Sequence, residues 1–497
     1  MPGAPSSGWA EPLFLLLTGQ QWLIALAVGL ALALAGWPLY HHTSPWVAAA
    51  LVLVGVTLVH LQCASRFIVP FPHIFLLIAA LQYVLAAAAS AYWPTDAPLY
   101  VIGRELPIYL PFATLVLLAC AAGWGLGLIK LRLPVRRLTS PPTPRLLFAL
   151  DALLILGFLG MLAAKFAQET NFAFFFILIA NLRYVGVFGR MVLRAPGWGW
   201  RLAFVAIAQL LISTDKGTFH GMILFGFWAF AIWAFVFGVS WRAMIIASLV
   251  GLLLLPALQA SKWELRGQTW LGDEVGRTTF SKWEKTTLWS SYMLESIRKT
   301  LTLDLDRVFL GETCARYNQG WIVNRVMQHV PAVVPYARGE TIRDTFISAM
   351  VPRVFSPNKV ITGGVLNMER FAGVELEEGT SMNLGYAGEM YANFGYWGGI
   401  LGCGLYCLGF SLLFRAVCHR AFVSPLWWAV LAYVCFVAVK AEDDIVGVVN
   451  WSAKASVVMM MVCLAFPAFR QALFPNKTVR RRRRSTRAPA PNNLSQP

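Results

Sequence analysis

Long apolar blocks recur along this chain, and they constrain its fold more than any other feature. Hydrophobic residues make up 58% of the 497 residues, and they are concentrated in blocks of about 20, the length that crosses a bilayer as an α-helix. The pattern predicts an all-α polytopic membrane protein with about twelve transmembrane helices. The predicted spans cover residues 20–38, 45–62, 73–92, 107–129, 146–165, 171–190, 200–214, 220–239, 242–260, 388–413, 425–440 and 449–469.

The net charge of +17 is concentrated in the short links between these blocks and in the C-terminal tail. Short links that are rich in arginine and lysine belong on the cytoplasmic side of the membrane. The link 130–145 and the tail 477–487 both place the two termini in the cytoplasm, and the cationic links 63–72, 190–201 and 414–424 agree with them. This distribution favours a membrane topology and excludes nucleic acid as a partner.

The same count of spans divides the chain into four parts. We expect nine transmembrane helices in residues 1–260, a large helical external loop in residues 261–387 and three further helices in residues 388–470. Residues 471–497 are expected to form a basic cytoplasmic tail that is disordered, because their composition cannot bury enough apolar surface.

The external loop contains a stretch whose aromatic and apolar residues recur at helical spacing. We expect an amphipathic helix here, lying on the membrane surface or against the spans. Packing within a core of the loop itself is an equally good interpretation. The residues of this pattern are Trp283, Trp289, Tyr292, Met293 and Ile297.

A second stretch of the loop, about 305–329, also has a helical pattern and contains three polar candidates. At about 100° per residue, Asn318 and Arg325 lie on one face, whereas Arg316 lies opposite Arg325. The two arginines cannot share a ligand on an unbroken helix. A break at Gly320 would change this, and the sequence leaves the two possibilities open.

The segment 351–360, with the sequence VPRVFSPNKV, places two cations on a stiff backbone. Pro352 and Pro357 fix φ and disfavour helix in the residues before them. Arg353 and Lys359 are therefore held on an extended chain, with less conformational freedom than an ordinary loop allows. We expect them to bind an anion, against the alternative of solvated loop charges.

A short polar turn, residues 213–220, joins the seventh and eighth blocks on the external side. Lys216 is a candidate for phosphate binding, and His220 for a general base or a phosphate donor. A tight polar turn without a ligand is the alternative, since loops often collect such residues.

Charged residues within or beside the predicted spans give further candidates. Arg183 is either functional or extends to the cytoplasmic headgroups. Glu389, at the edge of the tenth block, is a candidate general base, and capping of a helix N-terminus is its main alternative. Asp443 and Asp444, which follow Lys440 and Glu442, are a weaker second candidate for the base.

Residues 388–399, with the sequence GEMYANFGYWGG, stand where the external loop re-enters the membrane. Together with the upstream Pro352–Lys359 segment, they resemble the Wzy-type polymerases of oligosaccharide repeat units and the related O-antigen ligases. Those enzymes have many spans and one large periplasmic loop late in the chain. The architecture resembles theirs over nearly the whole length, and the motifs do so over about residues 345–400.

The resemblance implies a GT-C-like fold and glycosyl transfer on the periplasmic side of the bacterial inner membrane. The donor would be an undecaprenyl-diphosphate-linked glycan, the acceptor a sugar hydroxyl of another lipid-linked repeat unit, and no cofactor or metal is expected. Membrane lipids and a chain-length regulator are the other expected partners. Because negative charge grows on the leaving diphosphate, cations near the membrane face would stabilise the transition state.

The candidate residues divide among the roles that this chemistry needs. For the catalytic role we expect Glu389 and His220, and for sugar binding Asn318 and Tyr391. The expected diphosphate ligands are Arg353, Lys359, Arg325, Arg316 and Lys216. A ligase would use the same donor with another acceptor. A lipid-linked sugar transporter or flippase is the alternative from another class, although transporters usually show two related halves.

Overall fold

The computed structural model describes residues 19–41, 43–93, 100–129, 131, 142–167, 172–269, 280–302, 307–350, 364–376 and 382–475. Within these ranges the chain is almost entirely helical and contains no β-strand. Nine helices of the described chain are long and apolar enough to cross a membrane. The prediction of an all-α polytopic membrane protein is therefore confirmed at the level of fold class.

The main helices follow the predicted blocks closely. The blocks correspond to α1 Gly19–Ala35, α2 Trp46–Ala64, α3 Phe71–Tyr92, α4 Leu106–Leu128, α5 Pro144–Phe166, α6 Ala173–Val192, α7 Trp198–Lys216, α8 His220–Phe237, α9 Trp241–Thr269, α14 Gly385–Ala421, α15 Leu426–Val434 and α16 Ile445–Ala465. Further helices of seven residues or more are α10 Lys282–Leu301, α11 Arg307–Tyr317, α12 Gly320–His329, α13 Glu340–Met350 and α17 Pro467–Leu473.

Three of the twelve predicted spans are helices that lack the length or apolar character of the other nine. The helix α1 has 17 residues and α15 only 9, against the roughly 20 that a bilayer requires. The helix α7 has 19 residues but ends in Asp215 and Lys216. The count of twelve spans therefore stays a prediction.

One set of contacts at each end of the spans agrees with the predicted alternation of the links. At one end, Asp151 in the first turns of α5 pairs with Arg190 and Arg201, which flank the link between α6 and α7. At the other end, Thr214 at the end of α7 bonds Thr286 of α10 at 3.1 Å. The loop helices therefore pack on the end of the spans that was predicted to face outward.

The helices α4 and α14 form the tightest packing in the membrane part, because glycines let their backbones meet. A Cβ atom on Gly123 would stand 2.2 Å from the carbonyl oxygen of Gly404, and one on Gly127 would stand 2.3 Å from Oγ of Ser411. Small residues commonly allow this approach between membrane helices. The pair forms a rigid support for the polar region at the start of α14.

The predicted amphipathic helix is α10, and it packs against the ends of the spans. It begins with a capping box between Ser281 and Glu284, which satisfies free backbone donors at its start. The Trp289 side chain is buried among Phe219, Leu258 and Leu265, and its ring stacks on that of Phe219. Of the two interpretations, packing against the spans agrees with this arrangement.

The second helical stretch of the loop is broken, as the glycine at position 320 allowed. The helix α11 ends at Tyr317 and α12 begins at Gly320. A Cβ atom at Gly320 would stand 2.2 Å from the hydroxyl of Tyr109, so only glycine fits this close approach. The break separates the surroundings of Arg316 from those of Arg325.

Candidate functional site

The chain between α15 and α16 is buried but not helical, and it carries four charged residues. We refer to residues 435–444 as the unwound segment; it consists of turns and bends, and Phe436, Val439 and Ala441 within it are almost completely buried. Irregular backbone inside a membrane protein requires partners for its polar groups. The residues that supply these partners therefore fix the conformation of the unwound segment.

Tyrosine and tryptophan side chains supply these partners. The indole of Trp228 donates to the carbonyl oxygen of Phe436 at 3.0 Å, and the hydroxyl of Tyr83 donates to that of Ala441 at 2.5 Å. Gly385, with φ of 68°, lets the start of α14 approach, since a Cβ there would be 2.6 Å from the Tyr83 hydroxyl. The unwound segment is therefore fixed from several helices.

Lys440 is the centre of an ionic cluster on the unwound segment. Its Nζ atom is 2.7 Å from Oδ1 of Asp443 and 3.3 Å from Oε1 of Glu442. Burial opposes ionisation of Glu442, but the charges of Lys440 and His220 outweigh it and lower the pKa of this carboxyl well below its usual range. Gln82 also donates to Oε2 of Glu442 at 3.0 Å.

His220, the first residue of α8, faces this cluster from the other side. Its Nδ1 atom lies 3.6 Å from Oε1 of Glu442 and 3.5 Å from Nζ of Lys440. The side chain is 48% exposed, so a substrate can reach the ring. Nδ1 therefore faces both a carboxylate, which can accept its proton, and an ammonium group, which can donate to it.

Three more cations surround the region, from the C-terminal end of α9 and from α11. They are half-buried, and Lys262 lies within electrostatic range of both arginines and of Glu442. Arg266 donates from Nε to the carbonyl oxygen of Gly217 at 2.9 Å, which ties α9 to the turn before His220. The three residues are Lys262, Arg266 and Arg316. Together with His220 and Lys440 they form what we call the cation cluster.

Aromatic rings hold Arg316 in place. Its guanidinium lies 4.5 Å from the ring centre of Trp263 and 5.0 Å from that of Tyr100, and it donates to the Tyr100 hydroxyl at 3.3 Å. Among the described residues, no carboxylate lies within ion-pair distance of Arg316 or Lys262. Since a half-buried cation without a counter-ion is costly, the cation cluster is suited to binding an anion.

Glu389 lies on the other side of the unwound segment, near the start of α14. It is fully buried; Oε1 accepts a hydrogen bond from the Thr341 hydroxyl at 2.7 Å, and Oε2 accepts one from the backbone amide of Ile445 at 2.8 Å. Ile445 is the first residue of α16, so Glu389 caps that helix rather than its own. The contact agrees with the alternative interpretation of Glu389 as a helix cap, although the capped helix is α16 and not α14.

A kink in α14 explains how this site joins the loop. Gly395, with φ of 70°, interrupts the helix, and the carbonyl oxygens of Ala392 and Asn393 accept hydrogen bonds from the amides of Ala337 and Arg338 at 3.0 and 3.1 Å. A helix interrupted in this way frees carbonyl groups for other partners. The loop before α13 is thereby fixed beside Glu389.

Asp444, the last residue of the unwound segment, is buried close to Glu389. Its carboxylate oxygens make no hydrogen bond of normal geometry among the described residues, although the amides of Leu384 and Gly385 are near. Burial and then the negative charges of Glu389 and Asp443 raise the pKa of Asp444 well above its usual range. The two sides of the unwound segment thus differ in charge.

A cavity of about 580 Å³ opens beside Glu389. Its walls come from α13, the end of α12, the first turns of α16 and the short helical pieces Val365–Asn367 and Met368–Ala372. Four of its lining residues are carboxylates: Glu340, Asp344, Glu369 and Glu389. The cavity therefore differs from the cation cluster in the ionisable groups that it presents.

The structure brings only some of the predicted residues together. His220 and Arg316 share the cation cluster, whereas Glu389 lies beside the acidic cavity. Lys216 is exposed at the end of α7. Arg325 is exposed in a separate cavity of about 410 Å³, which Glu105 also lines.

The two predicted sugar-binding residues have internal contacts. Asn318 is fully buried, and its Nδ2 atom donates to Oγ of Ser90 at 3.0 Å and to the carbonyl oxygen of Tyr100 at 2.7 Å. Tyr391 is 8% exposed and its ring meets that of Phe112 edge-on. Sugar binding by either residue stays a prediction. Arg353 and Lys359 lie outside the described residues, and so do their predicted diphosphate contacts.

Arg183 does not extend to the headgroups, so that interpretation of the sequence is wrong. The side chain is 6% exposed and follows a break in α6 at Asn181. It donates to the carbonyl oxygen of Ala180 at 2.7 Å, to the hydroxyl of Tyr184 at 2.9 Å and to Oε1 of Gln209 at 2.9 Å. Neutral acceptors within the protein replace the headgroups.

Sequence reasoning missed Lys262 and Arg266. They follow the ninth apolar block directly, and that block was taken to end at residue 260. The helix α9 continues through Pro256 to Thr269, so the two cations lie on the same helix as the apolar block. Their spacing of four residues, which places them on one helix face, was the signal that could have identified them.

The fold and this site together define a polytopic membrane protein with a half-buried ionic site at one end of its spans. No protein-family model matches the chain, and neither does any curated protein or solved structure to which it was compared.

Proposed function

We propose that this protein is a membrane glycosyltransferase that polymerises undecaprenyl-diphosphate-linked repeat units on the outer side of the bacterial inner membrane, with both termini in the cytoplasm. The observation that carries the proposal is the cation cluster at the ends of α8, α9 and α11. Lys262 and Arg316 have no carboxylate partner among the described residues. A lipid diphosphate supplies the charge that they lack.

The cations act on the leaving group in this proposal. Breaking the glycosidic bond leaves negative charge on the diphosphate, and fixed donors that face this charge lower the barrier. The guanidinium of Arg316 can bond two phosphate oxygens at once, while Lys262 supplies a point charge. The aromatic contacts of Arg316 with Trp263 and Tyr100 orient it before the substrate arrives.

His220 activates the acceptor. The hydroxyl group of the incoming sugar gives its proton to Nε2 as it attacks the anomeric carbon, and the bond to the diphosphate breaks. Glu442, beside Nδ1, orients the ring and stabilises its positive charge. We assign a structural role to Glu389, since both of its carboxylate oxygens already accept hydrogen bonds.

A second candidate function, transport of lipid-linked sugars, has one observation in its favour. The nine-residue helix α15 and the unwound segment form a discontinuous helix, and such helices line the substrate sites of many transporters. A ligase that uses the same donor shares every feature of the first proposal except the acceptor.

Reconstitution into vesicles with undecaprenyl-diphosphate-linked repeat units distinguishes these functions. We expect the wild-type protein to lengthen the glycan, and gel electrophoresis of the products measures the length. His220→Gln should lower the rate by roughly a hundredfold, the usual contribution of a general base. Arg298→Gln, at an exposed residue of α10, is the matched control and should retain the wild-type rate.

Two outcomes would contradict the polymerase proposal. If the wild-type protein moves the lipid-linked glycan across the bilayer and never lengthens it, the transport function is correct. If it transfers the glycan to a lipid A core acceptor and not to a second repeat unit, the protein is a ligase. Equal rates for His220→Gln and the wild type would remove His220 from the mechanism.

A further inference from the structure

The acidic cavity beside Glu389 has the size and shape of a ligand site. Its volume of about 580 Å³ lies within the usual range for small-molecule pockets, about 300 to 1,000 Å³. Val334, Leu366 and Val446 give it an apolar wall. Polar groups from α13 and from residues 367–370 form the rest, an arrangement that suits a molecule with one apolar face and many hydroxyl groups.

The polar lining of the cavity combines donors, such as His329, Asn367 and Arg370, with the carboxylate acceptors of Glu340, Asp344, Glu369 and Glu389. Hydrogen bonds to ionised acceptors are about twice as strong as neutral ones, so carboxylates hold hydroxyl and ammonium donors well. Glu369 is exposed and has no cationic partner among the described residues. It is therefore available to a ligand.

The cation that lines this cavity is already occupied. Arg370 donates to both carboxylate oxygens of Glu340, at 3.0 and 2.8 Å. This bidentate bond lowers the pKa of Glu340, so the pair persists at neutral pH. Asp344 is paired with Arg343 at 3.1 Å. A ligand carboxylate would therefore find no free guanidinium among the described lining residues, and it would meet the unpaired carboxylate of Glu369.

The cavity is also close to His220 along the unwound segment. Val446 lines the cavity, and Glu442 lies beside His220. Three residues lie between them, and a fully extended chain covers these four residue steps in at most about 14 Å. A sugar in the cavity can thus belong to a glycan whose reacting end reaches His220.

We propose that this cavity binds the glycan of the acceptor, and that it takes saccharides whose polar groups are hydroxyl or amino groups rather than carboxylates. The assignment of the bound glycan as the acceptor rests on the proposed function. The preference for hydroxyl and amino groups over carboxylates follows from the cavity alone. The cation cluster would hold the donor diphosphate, and the acidic cavity would hold the incoming sugar.

Binding of free oligosaccharides to the full-length protein in nanodiscs tests this inference, with saturation-transfer NMR and titration as readouts. The probes are glucosamine, cellulose and galacturonate oligomers of equal length. We expect glucosamine oligomers to bind best, neutral ones next and galacturonate at least tenfold more weakly than glucosamine. A tenfold difference in the dissociation constant corresponds to about 1.4 kcal/mol. One hydrogen bond to a charged group can contribute this much free energy.

Substitutions at the cavity locate the binding. Glu369→Gln and Asp344→Asn keep side-chain shape and should weaken glucosamine binding roughly tenfold, while the discrimination against galacturonate narrows. Glu295→Gln is the control, because this exposed carboxylate of α10 pairs only with Lys299 among the described residues. This variant should bind all three probes with the wild-type affinity.

Failure of the inference can be separated from failure of the proposed function. The inference is overturned if no oligomer binds, if galacturonate binds as well as glucosamine, or if Glu295→Gln acts like Glu369→Gln. If the oligomers bind as expected while the reconstituted protein never lengthens a glycan, the saccharide site stands and the polymerase function falls. If polymer forms and the cavity variants bind and react like the wild type, the inference alone fails.

Discussion

The two sides of the unwound segment carry different ionisable groups, mainly cations on one side and carboxyl groups on the other, although a few residues of one chain separate them. On the His220 side, Lys440 pairs with two carboxylates and three further cations surround them. On the Glu389 side, Asp444 adds a second buried carboxylate, and a cavity with four acidic residues lies next to it. One short segment thus joins the cation cluster to the acidic cavity.

The difference teaches how an irregular segment can serve two sites at once. A helix would place residues 440 and 444 on the same face, since they are four apart. The bends at 440–443 separate them instead. Lys440 can then face His220 while Asp444 faces Glu389, and the backbone remains bonded by Tyr83 and Trp228.

The largest expected effect comes from removing the positive charge of Lys440, which neutralises the carboxylates on the His220 side. Lys440→Met would leave Glu442 and Asp443 without their shared partner, and breaking a buried ion pair in this way costs about 3 to 5 kcal/mol. Thermal unfolding in detergent measures the loss. Lys299→Met, at an exposed lysine of α10, should change the midpoint little. A wild-type midpoint for Lys440→Met would contradict the ionic cluster.

The next effect tests the bonds of Glu389 on the other side. Glu389→Ala removes the acceptor of both Thr341 and Ile445, and two buried groups left unpaired cost about 2 to 4 kcal/mol. Glu389→Gln retains an acceptor oxygen and should lose less than half as much stability. If the two variants unfold alike in the same assay, the capping of α16 by Glu389 is of no consequence.

A comparison of two arginines sharpens the distinction between the cation cluster and other cationic positions. Arg316→Ala should lower the rate of glycan transfer by roughly a hundredfold, as the loss of one preorganised donor to a developing charge does. Arg316→Lys should retain part of the rate, since it keeps the charge and loses the bidentate geometry. Arg325→Ala, in a separate cavity, should have the wild-type rate. Equal losses at both positions would argue against the cluster.

The smallest effect concerns the pH dependence of Asp444. Because its pKa is raised in the folded protein, the stability that its proton contributes is complete below the usual pKa of aspartate, about 3.9. That contribution is lost as the pH rises through the folded pKa. Asp444→Asn does not titrate and keeps a good N-cap residue. The variant should gain roughly 1 kcal/mol at pH 8 and less at pH 5.

Unfolding midpoints of the wild type and Asp444→Asn across this pH range give the measurement. Titration of Glu442 should not affect this measurement, because the pKa of Glu442 is lowered. The stability that its ionised form contributes is lost only at strongly acidic pH. A constant difference between the two proteins at every pH would show that Asp444 does not titrate as described.

The spans were predictable because length and hydrophobicity alone determine them. The blocks 45–62 and 107–129 agree with α2 and α4 within one or two residues. The eleventh block was different. Its residues 435–440 are apolar enough to suggest a span, but they are unwound. Trp228 and Tyr83 donate hydrogen bonds to the carbonyl oxygens of Phe436 and Ala441, and these tertiary contacts leave no local pattern in the sequence.

The site was partly predictable for the same reason. His220 was a candidate because it begins the eighth apolar block, and Arg316 because it lies in a helical stretch of the loop. Their common neighbourhood with Glu442 could not be predicted, since they lie on three different elements and meet only in the fold. Lys440 and Glu442 were noted beside the weaker candidates Asp443 and Asp444, and the distances raise their importance.

Binding of farnesyl diphosphate, a short lipid diphosphate, tests the central claim most directly. Isothermal titration of the purified protein should show saturable binding, and Arg316→Ala or Lys262→Ala should weaken it about tenfold or more, since each removes a charged hydrogen bond. Arg298→Gln on α10 should bind like the wild type. Equal affinity of all four proteins, or no binding by the wild type, would contradict the assignment of the cation cluster to a lipid diphosphate.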